Sequence, residues 1–414
     1  MGSLMPRIPK EICAFCKGTR KLCGARVCPI LIKQSYLIKD LPQITKREIE
    51  GVTPPNILVG EYGYPSINIG PISTYVEADL MGSPKEWAKK NLDMTDILKM
   101  RVAMLYAFQK RKVIEARSLE NEFKEMVISL KPVDLDVLLR KEPRVLIKLD
   151  SDIPPIGASG PLEKLEVVGN PVTTRKIESI VEEDIKAVKA VPELYKYGYS
   201  FYLIQRLFSS GLLGVRSRRI FVPTRWSITA TDAILGNYFL NKIKDYQPIS
   251  EPELYYREYL GNIYYVLLIP SHFWAMEMFE IWLPFSVWVR HQEKPVIIQN
   301  YEDYDGKPIK MDGGYYAIRF SILEHLLKRK RKAMALAIRI ITPKYFAPVG
   351  NWQIRESIRL ALSGKPMRRG EEEELLMFIQ MRERDKIRTD ILKRSWLMKR
   401  RKIATLDTFL RVQI

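Results

Sequence analysis

The sequence predicts an α+β protein: mixed sheet-and-helix domains, an N-terminal loop carrying four cysteines, and a largely helical C-terminal region. Three observations lead there. Alternating apolar runs bounded by glycine and proline, as in NILVGEYGYPSINIGP, read as strands and turns. DMTDILKMRVAMLYAF and SLENEFKEMVISL instead repeat their apolar residues every three to four positions and read as helices. All four cysteines of the 414-residue chain fall between positions 13 and 28. With 46% hydrophobic and 28% charged residues the chain can bury its own core, and its length suggests two or three domains.

The first element, residues 1–35, is built on CAFCKGTRKLCGARVC. Clustered thiols serve either disulfides or a thiolate-bound metal. Disulfide frameworks belong to small secreted domains short of core, which this chain is not. The spacing C-x2-C, six residues, C-x4-C suits zinc held by Cys13, Cys16, Cys23 and Cys28, with iron–sulfur and redox chemistry as alternatives. Gly18 and Gly24 supply turns, and Lys17, Arg20, Lys21 and Arg26 offset the thiolate charge. Nothing in the loop supplies an open coordination position or a general base, so the expected zinc is structural. The opening MGSLMPRIPKE lacks the apolar stretch of a signal peptide, and an all-thiolate set fits a reducing compartment, so the expected location is cytoplasmic.

Residues 36–150 read as an N-terminal α+β domain. Its glycines Gly60, Gly63 and Gly70, spaced G-x2-G-x6-G, fit neither phosphate-loop nor dinucleotide patterns and read as tight turns in a sheet. Ser83-Pro84-Lys85-Glu86 has the order of a helix start, N-cap, proline, then acid. Residues 151–175, rich in Pro, Gly and Ser, read as a linker or mobile loop.

Residues 176–365 read as a central α+β domain that opens on an amphipathic helix from Ile177. RSRRIFVPTRWSITATDAILG then places Arg216, Arg218, Arg219 and Arg225 beside Trp226, Ser227 and Asp232, with IFV as a strand feeding a turn and helix. Arginines and hydroxyls at a helix start suit a phosphate; the plainer alternative is an N-cap by Thr229 or Thr231 with solvated arginines. Residues 261–289 lack Lys and Arg, but Pro270, His272, Glu277, Glu280 and Pro284 interrupt them, so they read as buried core rather than a membrane span. Glu277 and Glu280 are candidate metal ligands or acids, or satisfied polar groups of a core. VWVRHQEKPVIIQNYEDYDGKP reads as two strands around an acidic turn. KRKRK, that is Lys328, Arg329, Lys330, Arg331 and Lys332, continues a helix as a phosphate-binding or merely solvated face. Residues 366–402 read as one long helix and residues 403–414 as a free tail.

Sixty-seven Lys and Arg against 48 Asp and Glu leave a formal charge of +19. Nucleic acid is therefore the expected partner; a membrane is not, for want of a basic amphipathic anchor with a clean apolar face. Three function classes follow: a DNA-binding protein, a metal-dependent nuclease or DNA glycosylase using Arg225, Ser227, Asp232, Glu277 or Glu280, and an RNA-binding protein.

In the tail, Leu406, Phe409 and Leu410 share one side of a helical turn, the form in which a short peptide plugs a hydrophobic groove. The tail resembles a PCNA-interacting (PIP) motif, with Ile403 in place of its glutamine and Leu410 in place of its second aromatic. Four landmarks in order, the cysteine loop ending CP, PNILVGEYGYPSINIGP, RRIFVPTRWSITATDAILG and YFAPVGNWQIRESIRLAL, resemble the archaeal Nre DNA-repair family over nearly the whole chain. The resemblance implies an archaeal factor that acts on damaged DNA and docks on the PCNA sliding clamp. It assigns the clamp role to Leu406, Phe409 and Leu410 and the metal role to the four cysteines. It also nominates Arg225, Trp226, Ser227, Asp232, Trp352, Arg355 and Glu356 without naming their roles.

Overall fold

The computed structural model describes residues 12–25, 27–54, 56–75, 80–169, 171–289, 293–386 and 391–402. The chain divides into two compact units that are not contiguous in sequence. The N-terminal unit comprises Gly18–Tyr238 and Ala347–Glu356; the C-terminal unit comprises Met1–Lys17, Phe239–Phe346 and Ser357–Ile414. Composition marks linkers along a line and is blind to a chain that returns, which is why the linear boundaries above differ from this division.

The N-terminal unit contains a six-stranded sheet of β1 (Glu48–Thr53), β2 (Ile57–Val59), β3 (Ser66–Ser73), β4 (Leu105–Lys112), β5 (Val133–Leu139) and β6 (Ser159–Val167), in the order β1-β5-β6-β4-β3-β2. Only β4 and β6 pair in parallel. Gly70 lets β3 approach β4: a Cβ there would lie 1.8 Å from the Ala107 carbonyl oxygen. Leu58, Ile72, Met104, Tyr106 and Ile156 form an apolar cluster beside the sheet.

Three local expectations change here. The helical pattern from residue 93 holds only over Met94–Val102, after which Leu105, Tyr106 and Phe108 enter β4. Its aromatic and β-compatible end pairs with β3, so tertiary pairing overrides period. The presumed linker at 151–175 supplies β6, whose Leu162 is buried. IFV at 220–222 joins no strand; the helix Thr224–Ile243 begins straight after Pro223, before Thr229 and Thr231. At the expected helix start, Pro84–Lys89 does form, but the Ser83 side chain makes no cap bond.

The C-terminal unit contains a second six-stranded sheet of β7 (Glu253–Tyr259), β8 (Asn262–Ile269), β9 (Met276–Trp282), β10 (Val296–Glu302), β11 (Met334–Ile341) and β12 (Arg368–Arg369). Its order is β10-β9-β11-β8-β7-β12, with β9 and β11 parallel. Every residue of β8, β9 and β11 is buried, which explains their mostly apolar sequence, and β8 and β9 make most of 261–289 core, as expected. One sheet face packs Phe279, Ile281, Leu336 and Ile338 against Leu375, Leu376, Ile379 and Leu397 of the C-terminal helices. The expected long helix there is three pieces, Glu372–Arg382, Ile391–Arg394 and Trp396–Lys402. Of the two strands expected around the acidic turn, only β10 forms among the described residues. Among the described residues no helix is long and apolar enough to cross a membrane.

The polar residues of β9 are held on both faces. The Glu277 carboxylate accepts from the backbone N–H groups of Trp396 (2.9 Å) and Leu397 (3.0 Å) and from the Ser395 hydroxyl, and so caps the last helix. Glu280 receives Arg339 at 2.7 Å and the Lys17 ammonium at 2.7 Å, and Asp312 receives Lys17 at 3.1 Å. Burial opposes the charge on Lys17, but Asp312 and Glu280 outweigh it and hold its pKa above the ordinary value. Glu280→Ala would leave buried Arg339 without its carboxylate and Lys17 with Asp312 alone, and we expect it to lower the unfolding free energy by about 3–5 kcal/mol in denaturant titrations. A loss under about 1 kcal/mol would mean the carboxylate is not what holds Lys17 and Arg339.

Candidate nucleic-acid interface

In the N-terminal unit the chain brings three of its distant landmarks together. The turn after β2 carries Glu61, Tyr62, Gly63 and Tyr64. Gly63 sits at φ +84°, where a Cβ would come within 2.7 Å of the Ser66 carbonyl oxygen, so glycine sets the turn. The Val59 N–H donates to the Thr224 hydroxyl at 2.9 Å, tying β2 to the first residue of the helix Thr224–Ile243. Arg225 follows, and its guanidinium receives Glu61 at 2.8 Å, Asp152 at 3.2 Å and Asp150 in a close pair. Burial opposes that charge, but Asp150, Asp152 and Glu61 outweigh it and keep the arginine strongly basic. The third landmark closes the set: Asn351 donates its amide N–H to Asp152 at 2.7 Å, and Asp150 bridges to Val349.

The next residue, Trp226, is 45% exposed and its ring lies 5.3 Å from that of Tyr64, tilted by 44°. Tyr64 is 46% exposed and Tyr62 77% exposed, with the Lys21 ammonium 5.9 Å from the Tyr62 ring centre. Exposed aromatic faces beside cations, on a framework pinned by ion pairs, offer a stacking surface for unpaired bases. The Lys21 ammonium and the exposed Arg216 and Arg218 add positive charge within the same unit.

The other nominated residues of this unit are interior. Asp232 and Arg355 form a bidentate pair, with Arg355 Nε donating at 2.8 Å, and the guanidinium stacks 3.8 Å from the Phe201 ring. Burial opposes the Arg355 charge; Asp232 outweighs it. Ser227 is buried, donates to the Thr224 carbonyl at 2.8 Å and accepts from Gln205 at 2.6 Å. The chain's three histidines, His272, His291 and His325, all fall outside this unit, so it contains no imidazole to activate that hydroxyl. Glu356 accepts from the Tyr202 hydroxyl at 2.8 Å, and the Trp352 ring packs edge-on to Trp87 at 5.0 Å.

The basic candidates divide. The Arg216 N–H donates to Asp184 at 2.6 Å, and Arg219 donates to the carbonyls of Gly214 (2.9 Å) and Glu183 (3.0 Å), so Arg219 is a strut. The second basic run lies in the C-terminal unit, where the helix ends at Arg329 and Lys330 turns left-handed. Arg329 pairs with Glu253 and Lys332 donates to the Lys244 carbonyl at 3.0 Å. Lys328, Lys330 and Arg331 are exposed, with Lys328 near Glu324 at 3.3 Å.

Cys13 and Cys16 lie one turn apart on the helix Ile12–Cys16, Gly24 follows Cys23 at φ +72°, and Cys28 is the N-cap of the helix Pro29–Leu37. No disulfide joins these cysteines. Among the described residues, no three His, Cys, Asp or Glu stand close enough to share a metal ion. The two cysteine pairs fall on either side of the division between the units. Leu406, Phe409 and Leu410 lie outside the described residues.

The residues missed by sequence reading are Glu61, Tyr62, Tyr64, Asp150, Asp152 and Asn351. The aromatics in a Gly/Pro turn, where a core has no use for them, were the one available signal; nothing local ties Asp150 or Asn351 to Arg225.

A family model described as "Archaeal Nre, N-terminal" matches residues 22–289, and one described as "Archaeal Nre, C-terminal" matches residues 300–409. The chain is 35% identical over 361 residues to the DNA repair protein NreA of Archaeoglobus fulgidus, covering 86% of this chain and 89% of the relative. It is 31% identical over 373 residues to the DNA repair protein NreB of the same organism, covering 89% and 92%. To the DNA repair protein NreA of Haloferax volcanii it is 32% identical over 329 residues, covering 76% and 78%. No solved structure matches the chain. With both family models matching in order along most of its length, and the landmarks they span converging on Arg225, the chain belongs to the archaeal Nre family.

Proposed function

We propose that this chain is a cytoplasmic DNA-repair protein that holds unpaired DNA on the Tyr62, Tyr64 and Trp226 surface. The exposed Tyr64–Trp226 ring pair beside Arg225 carries the reading, and the names of its relatives support the repair context. Stacking against aromatic rings is sequence-tolerant, as a protein that meets damage anywhere in a genome requires. Exposed Lys and Arg supply the backbone attraction, so affinity falls steeply with salt. The nuclease or glycosylase alternative has less support, since Asp232, Glu277 and Glu280 are each buried and bonded to partners inside the protein. RNA binding would use the same stacking surface, and a preference for RNA over DNA of equal length distinguishes it.

The tail adds a tether. Leu406, Phe409 and Leu410 would plug a groove on the PCNA sliding clamp and raise the local concentration of the chain at DNA. For the cysteines, four thiols are the donor set that zinc prefers; since no three of them stand close enough to share an ion among the described residues, Cys13, Cys16, Cys23 and Cys28 would have to draw together to hold one. Bound there, zinc supplies stability to a basic loop and no chemistry at DNA.

Three measurements test these parts. In anisotropy titrations with a single-stranded oligonucleotide, Trp226→Ala is expected to weaken binding about 5- to 140-fold, the value of one stacked base; unchanged affinity removes the stacking surface. In calorimetric titrations of archaeal PCNA, the full chain should bind, while a chain ending at Lys402 and Phe409→Ala should not; equal heats from all three would rule out the tail as the tether. Elemental analysis should find one zinc per chain, lost in Cys23→Ser, and a chelator should lower the melting temperature of the wild type only; a metal-free, equally stable protein would retire the zinc.

A further inference from the structure

The N-terminal unit also holds a partly open cavity of ≈ 80 Å³ behind the interface, sharing Asp152 and Thr224 with it. Arg101, Arg206 and Arg355 line it, and the one carboxylate in its wall is Asp152. Two of these charges are already matched: Arg355 by Asp232, and Asp152 by Arg225. The other two are not. Arg101 is 2% exposed and donates only to the carbonyls of Pro155 (3.1 Å) and Met81 (3.5 Å) and to the Met104 sulfur (3.1 Å). Arg206 donates to the carbonyls of Val127 (2.7 Å) and Ser129 (2.6 Å). Neither has a carboxylate partner among the described residues. Burial pulls the Arg101 guanidinium down to about 10, which still leaves it charged at neutral pH.

A buried cation without a counter-ion is costly to hold, and an anion set between two of them in a low-dielectric cavity recovers much of that cost. Size selects the anion. Benzene occupies an engineered cavity of about 150 Å³, so a nucleobase does not fit here; a volume worth two or three waters of about 30 Å³ accepts a tetrahedral oxyanion. Asn56 and Gln205 stand in the same wall as polar groups for its oxygens. We propose that this cavity is a phosphate-binding site, with Arg101 and Arg206 as the charged ligands. Only the source of the phosphate, a free ion or the terminal phosphate of a DNA strand, rests on the DNA-binding reading.

The test uses the full chain in calorimetric and melting titrations with inorganic phosphate, against chloride at equal ionic strength. Phosphate should raise the melting temperature by a few degrees and chloride should not. Arg206→Gln should weaken phosphate at least tenfold while circular dichroism shows it folded; Arg101→Gln should do the same if it folds. A 5′-phosphorylated oligonucleotide binding at least tenfold tighter than its 5′-hydroxyl twin, with the difference lost in Arg206→Gln, assigns the phosphate to a DNA end. Equal oligonucleotide affinities with phosphate still bound assign it to the free ion. No phosphate effect beyond chloride, or an equal effect in Arg206→Gln, overturns the site. A full chain that binds phosphate but no single-stranded DNA counts against the aromatic surface and leaves the cavity standing.

Discussion

The N-terminal unit depends on one ion cluster. Arg225 takes Glu61 from a turn and Asp150 and Asp152 from the chain before β6, and Asp152 in turn holds Asn351. A single planar guanidinium with five donors can satisfy several carboxylates at fixed angles, which a lysine cannot. Without it, three acids would face each other in a half-buried site. With it, segments nearly 300 residues apart become one rigid surface, and the Tyr64–Trp226 pair is presented rather than buried.

Charge is arranged by burial. The +19 of the whole chain reads as a general affinity for polyanions, yet many of the arginines serve inside: Arg355 on Asp232, Arg339 on Glu280, Arg319 on Glu302, Arg329 on Glu253. These pairs fix element positions. The exposed cations are fewer than composition suggests, Arg218 and Lys330 among them, and the cavity adds Arg101 and Arg206, which have no carboxylate partner among the described residues. Buried carboxylates on the same background are bonded too, Asp232 to Arg355, Glu280 to Arg339 and Glu277 to the last helix.

The sequence by itself determined the class of the fold, the buried character of 261–289, the clustering of the thiols and the family, because apolar period, composition and ordered motifs are local or linear properties. It determined Arg225 and Trp226 as residues of interest but not their opposite fates, one locked in carboxylates and one exposed. Residues 105–108 show why: their spacing suits a helix, and pairing with β3 and β6 makes them a strand. The tertiary structure alone decided that Glu61, Asp150, Asp152 and Asn351 meet at one guanidinium, that Arg101 and Arg206 share a cavity, and that Glu277 caps a helix 119 residues later. Each is a meeting of side chains from separate segments, set by the path of the backbone, and no pattern within any one segment encodes it.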